Sequence, residues 1–216
     1  MLFNKKNLKK IFIISLFIAY PFLVHFSIIF QSSLLQTISL CIFLIGVSLT
    51  ARIKRIGLAL VASLIILSII LSQFSASIIL LYVPPIIIPI FIAIGFLTSL
   101  QAGREPIVTA IGEASRGPLS QPMRKYTKQV TQLWTGLLIT MAITNFSLAL
   151  IGNDVLWSFI TSFLNYVIII VVFISEFIYR KIRFKDHNHP SFIEYIKIVT
   201  TTNVDIQQPH SLNSEL

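Results

Sequence analysis

All 17 Lys and Arg residues of this 216-residue chain fall in four segments, Lys5 to Lys10, Arg52 to Arg55, Arg104 to Lys128 and Arg180 to Lys197, with apolar runs filling most of the chain between them. The runs cover 11–30, 34–49, 56–71, 76–97, 133–151 and 156–179. A membrane-crossing helix needs about 20 mostly apolar residues and a membrane strand about half that, so these lengths fit helices. The connections between runs alternate. Gln31 to Ser33, Ser72 to Phe74 and Gly152 to Val155 are short and contain no Lys or Arg, whereas the other connections and the two ends hold every basic residue. Basic residues collect on the cytoplasmic side of a membrane, which puts all four basic segments there. The pattern predicts an all-α integral membrane protein of six transmembrane helices in three hairpins, with both termini cytoplasmic, in a bacterial-type inner membrane. Residues 1–185 form the membrane domain, with a cytoplasmic loop at 98–132. Residues 186–216 form a cytoplasmic tail that reads as disordered from Thr200 onward.

Composition supports the same class and excludes others. With 55% hydrophobic and 12% charged residues, the chain lies outside the range of soluble domains. The net charge of +9 does not point to nucleic acid, because its distribution follows membrane topology. The single cysteine, Cys41, lies inside an apolar run and rules out an intrachain disulfide or a thiolate metal cluster. Lys5, Lys6, Lys9 and Lys10 ahead of the first run resemble a secretory signal, but the run is too long and lacks a cleavage pattern, so it reads as an uncleaved helix. No nucleotide loop, nucleophilic triad, paired intramembrane carboxylates or metal-ligand helix motif occurs, and His187 with His189 is a weak metal signal. The sequence therefore assigns no catalytic residue, metal or cofactor, and no oligomeric state.

Polar groups inside the hydrocarbon are costly, which makes each one a candidate. His25 lies towards the outer end of the first span. Asn145 and Asn165, in the fifth and sixth, stand at depths that let them pair across a hairpin. Ser158, Ser162, Asn165 and Glu176 fall on one helical face. Glu176 is the only acidic residue within a span, and Arg180 four residues later favours an interfacial ion pair. Pro84, Pro85 and Pro89 predict an irregular fourth span, either kinked or broken around a substrate cavity. Gly136, Thr140 and Thr144 form a small-residue stripe expected to pack against another helix.

The long loop carries GREP at 103–106, RGPL at 116–119 and the basic stretch Arg124 to Lys128. Pro106 suits the start of a short amphipathic helix with Ile107, Val108 and Ile111 on one face. Such a helix along a membrane surface aims Arg104, Arg116, Arg124, Lys125 and Lys128 at phosphate headgroups, each worth on the order of 1 kcal/mol near an anionic surface. Plain topology anchoring explains the same residues. A sharper alternative gives two of the arginines the phosphate or carboxylate of a particular lipid or acyl carrier.

GREP, RGPL, KYTKQVT at 125–131, Trp134 and the run from Glu176 through Tyr179, Arg180 and Arg183 to His189, Ser191 and Phe192 resemble an uncharacterised family of multi-pass bacterial membrane proteins. That family is encoded among aryl polyene and xanthomonadin-type pigment genes. The likeness covers mainly the second half of the chain. It implies a role beside acyl-chain synthesis, with membrane lipids and an acyl carrier or lipid-synthesis protein as partners at the basic loop, and no nucleic acid. Three functions remain open: a non-enzymatic accessory component in synthesis or transfer of an acyl or polyene lipid, a membrane-embedded lipid-modifying enzyme, and a small-molecule transporter.

Overall fold

The computed structural model describes residues 5–50, 55–73 and 78–184. The tail, with His187, His189 and a short surface helix expected from Phe192 to Val199, lies outside them. The described residues are helical throughout, with no strand: α1 Lys5–Ile29, α2 Ser33–Thr50, α3 Arg55–Gln73, α4 Ile78–Ser99, α5 Ile107–Arg116, α6 Gln121–Ile151, α7 Asp154–Phe159 and α8 Asn165–Arg183. A π-helical turn, Ile160–Leu164, joins α7 to α8, so Asp154–Arg183 runs as one long helix. Five helices are long and apolar enough to cross a membrane: Leu8–Ile29 of α1, α2, α4, α6 and the joined α7–α8. The described apolar stretch of α3, Val61–Gln73, is shorter.

Burial reverses the soluble pattern. Phe91, Phe30, Leu34, Leu150 and Ile151 are each more than two-thirds exposed, while Ser27, Ser39, Ser68, Ser99, Thr109, Thr131, Asn145 and Ser158 are almost completely buried. Such a surface suits a solvent as apolar as the side chains themselves. Helices are then held by close packing of small residues and by hydrogen bonds more than by apolar burial.

The chain divides into two compact units, Met1–Ile87 with Ile143–Ile168, and Ile88–Ala142 with Ile169–Leu216. In the first, α1 and α2 form a hairpin closed by backbone bonds from Gln31 to Ile28 (3.1 Å) and from Ser32 to Ser27 (3.0 Å). Its core joins Tyr20, Val24 and Ile28 of α1, Leu40 and Leu44 of α2, Leu81 of α4 and Trp157 of α7. Gly46 keeps α2 close to α1, since a β-carbon there would meet the Phe17 ring at 3.2 Å.

Of the two alternatives for the fourth span, the broken helix is overturned, because α4 runs unbroken from Ile78 to Ser99. Pro89 has no N–H to give to the Pro85 carbonyl one turn back, and the Asn145 side-chain amide of α6 donates to that oxygen instead at 2.7 Å. The stripe Gly136, Thr140 and Thr144 is exposed and packs against no described helix. The buried stripe of α6 lies nine residues earlier, at Thr127, Thr131 and Thr135.

Candidate functional site

In the second unit the basic loop is a folded ledge. α5 is tied along its length to α4 and α6 by small polar side chains. The Ile107 N–H, unpaired within the helix because it lies in the first turn, donates to Ser99 Oγ at 3.1 Å, and Val108 N–H donates to Thr131 Oγ1 at 3.3 Å. Thr109 and Thr127 share a buried hydroxyl contact of 2.7 Å. Thr127, Thr131 and Thr135 each also donate to the carbonyl four residues earlier, at 3.0, 2.9 and 2.8 Å, so these hydroxyls are satisfied without water. Gly117 ends α5 with a φ of 83°, a conformation that a β-carbon disfavours, and its N–H closes on the Glu113 carbonyl at 2.8 Å.

A second tie is ionic. The Arg124 guanidinium bonds the Glu113 carboxylate with one nitrogen and Glu105 with the other at 2.6 Å, while Glu113 also accepts the Leu119 N–H at 3.3 Å. One arginine of α6 thereby pins α5 itself and the chain just before it. All three side chains are partly exposed, at 12–35%, so the two pairs together are worth about 1–2 kcal/mol, between a surface and a buried pair. Of the five basic residues expected to face an anion, Arg124 is thus spent on carboxylates. Arg104, Lys125 and Lys128 stay exposed. The backbone of Arg116 ends α5, and its side chain lies outside the described residues.

At the end of α8 in the same unit, Glu176 is 7% exposed and accepts from the Tyr126 hydroxyl at 3.2 Å. Arg180 Nε stands 3.6 Å from the same carboxylate oxygen, the ion pair expected from the spacing. The Tyr126 ring stacks on Tyr179 and leans on Phe184, enclosing the carboxylate in aromatic surface.

The intramembrane candidates of the first unit are also brought together. Asn165 Nδ2 donates to Asn145 Oδ1 at 2.9 Å, so Asn145 serves α8 and the proline carbonyl of α4 at once. His25 Nδ1 lies 2.9 Å from Ser158 Oγ. The Ser158 hydroxyl is also within hydrogen-bond reach of the Val155 carbonyl, at 3.0 Å. Phe163 meets the imidazole edge-on at 5.1 Å.

Sequence reading missed the ties of Arg124 to Glu105 and Glu113, which stand 19 and 11 residues away. It also missed Tyr126, and the hydrogen bond from the Tyr82 hydroxyl to Asp154. The available signals were the carboxylates framing the amphipathic segment and the four-residue recurrence of Thr127, Thr131 and Thr135. The described residues contain no group of His, Cys, Asp or Glu able to hold a metal ion. No family model, curated protein or solved structure matches the chain.

Proposed function

We propose that the chain is a six-span inner-membrane protein with cytoplasmic termini, and a non-enzymatic accessory component in synthesis or transfer of an acyl or polyene lipid. The observation that carries this reading is the ledge. A helix latched by Arg124 to Glu105 and Glu113 holds its shape without a partner, while Arg104, Lys125 and Lys128 stay exposed, with no carboxylate paired to them among the described residues. A phosphate or carboxylate on a lipid or an acyl carrier is the chemistry such a cationic shelf takes. The enzyme reading is weaker because Glu176 is buried against Tyr126. The transporter reading loses its broken helix, since protein and not substrate satisfies the Pro85 carbonyl.

The test is lipid and pigment analysis of a deletion strain complemented by wild type or by the Arg104→Ala, Lys125→Ala, Lys128→Ala variant at equal protein level. The expected outcome is an acyl or polyene species lost on deletion, restored by wild type and not by the variant. Full restoration by the variant sinks the docking role, and an unchanged profile on deletion sinks the pathway.

A further inference from the structure

The first unit carries a cavity of about 540 Å³ where α1 ends and α6 gives way to α7. Ile28 and Gln31 line it from one connection, and Ile151, Gly152, Asn153 and Asp154 from the other. Neither connection contains Lys or Arg, and Asp154 is the one formal charge in the lining. Two helices, α1 of 25 residues and α6 of 31, end at this cavity. The end of α1 is capped, its Ser27 and Ile28 carbonyls accepting the Ser32 and Gln31 N–H groups, and α2 and α7 start at the same connections, so helix dipoles of both signs meet there and Asp154 carries the charge. Gln31 and Gly152 turn the chain at these ends with φ of 47° and 76°. Gln31 is the left-handed residue of the cap that ends α1.

The carboxylate is held from below. The Tyr82 hydroxyl donates to Asp154 Oδ1, and the Tyr82 ring meets Trp157 edge-on at 4.7 Å. Asn153 is committed to capping α7, accepting the Leu156 N–H at 3.0 Å. Asp154 Oδ2 has no hydrogen-bond partner among the described residues. The cavity therefore presents an oriented carboxylate oxygen, its one formal charge, beside the Gln31 side chain.

We propose that this cavity binds a primary ammonium group. Such a group supplies the positive charge and three N–H donors, which a quaternary ammonium lacks. Two sources carry this chemistry, a free small amine and the ethanolamine headgroup of a phospholipid, since the cavity lies at the ends of helices able to cross a membrane. The proposal is independent of the basic ledge, which belongs to the other unit.

Trp157 is fully buried against Tyr82 and reports the site, and Trp134→Phe leaves it the only tryptophan. Full-length Trp134→Phe protein in detergent is titrated with free ethanolamine, choline and sodium chloride. In a second arm its emission is compared in nanodiscs of phosphatidylglycerol with and without phosphatidylethanolamine. A saturable change of Trp157 emission is expected. Loss of the charge-assisted bonds makes choline and sodium about tenfold or more weaker than ethanolamine, and folded Asp154→Asn weaker by a similar factor. A response to free ethanolamine assigns a solute site, and a response only in phosphatidylethanolamine nanodiscs assigns a headgroup site. The proposal is overturned if neither arm responds, if choline or sodium matches ethanolamine, or if folded Asp154→Asn binds as tightly as the parent. The comparison of ligands on the native carboxylate decides the matter even where that variant fails to fold.

Discussion

The two units treat buried polar groups in opposite ways. In the second, polarity is spread over many small ties: Ser99, Thr109, Thr127 and Thr131 each serve a neighbouring segment, and Arg124 answers two carboxylates. In the first, two helices depend on one residue, Asn145, which holds both the Pro85 carbonyl and the Asn165 amide. In the same unit the Tyr20 hydroxyl, the Ser68 hydroxyl and the Trp157 indole N–H are buried without a partner among the described residues. A distributed network loses little when one member goes. A concentrated one fails at its node.

The largest effect is therefore expected at that node. Asn145→Ala leaves two buried groups unpaired and should lower stability by about 1–3 kcal/mol, read by reversible unfolding in bicelles. An effect below about 0.5 kcal/mol means that water or another helix serves Pro85, and the contrast between units collapses. Arg124→Ala comes next, at about 1–2 kcal/mol, because its carboxylates are partly exposed and regain water. Hydrogen exchange should show that loss locally, as faster exchange in α5 with α1 and α2 unchanged. Uniform acceleration through the chain would mean that the ledge is no separate element. Smallest is Tyr20→Phe, which removes a buried hydroxyl that has no partner among the described residues and should change the unfolding free energy by no more than about 0.5 kcal/mol, in the stabilising direction. A marked loss would show that the hydroxyl is bonded in the membrane, and that the first unit is better satisfied than its protein contacts suggest.

Hydropathy located the apolar helices to within a few residues, with one instructive miss. The fifth run was expected at 133–151, yet α6 begins at Gln121. Hydropathy records where lipid is, and a helix that continues into a polar ledge leaves no such mark. The sign of that continuation was present in Thr127, Thr131 and Thr135, whose buried hydroxyls stay satisfied by their own backbone. The pairing of Asn145 with Asn165 was legible because two amides at similar depth have few other partners, and the Glu176–Arg180 pair because it is a local four-residue step. The ties of Arg124 were not, because they depend on a turn at Gly117 that brings α5 back along α6. The prolines left two alternatives, kinked or broken, open for a related reason. Proline chemistry is local, but the donor that repairs it is 60 residues away.

That separation gives the chain a clock. A ribosome adds about 5–20 residues per second, so 60 residues correspond to roughly 3–12 seconds between the emergence of Pro85 and of Asn145. For that interval the fourth helix carries a bare carbonyl and is an incomplete object for the apolar phase. Its final seating is thereby deferred until the later helix arrives, which makes the order of synthesis part of how this protein assembles.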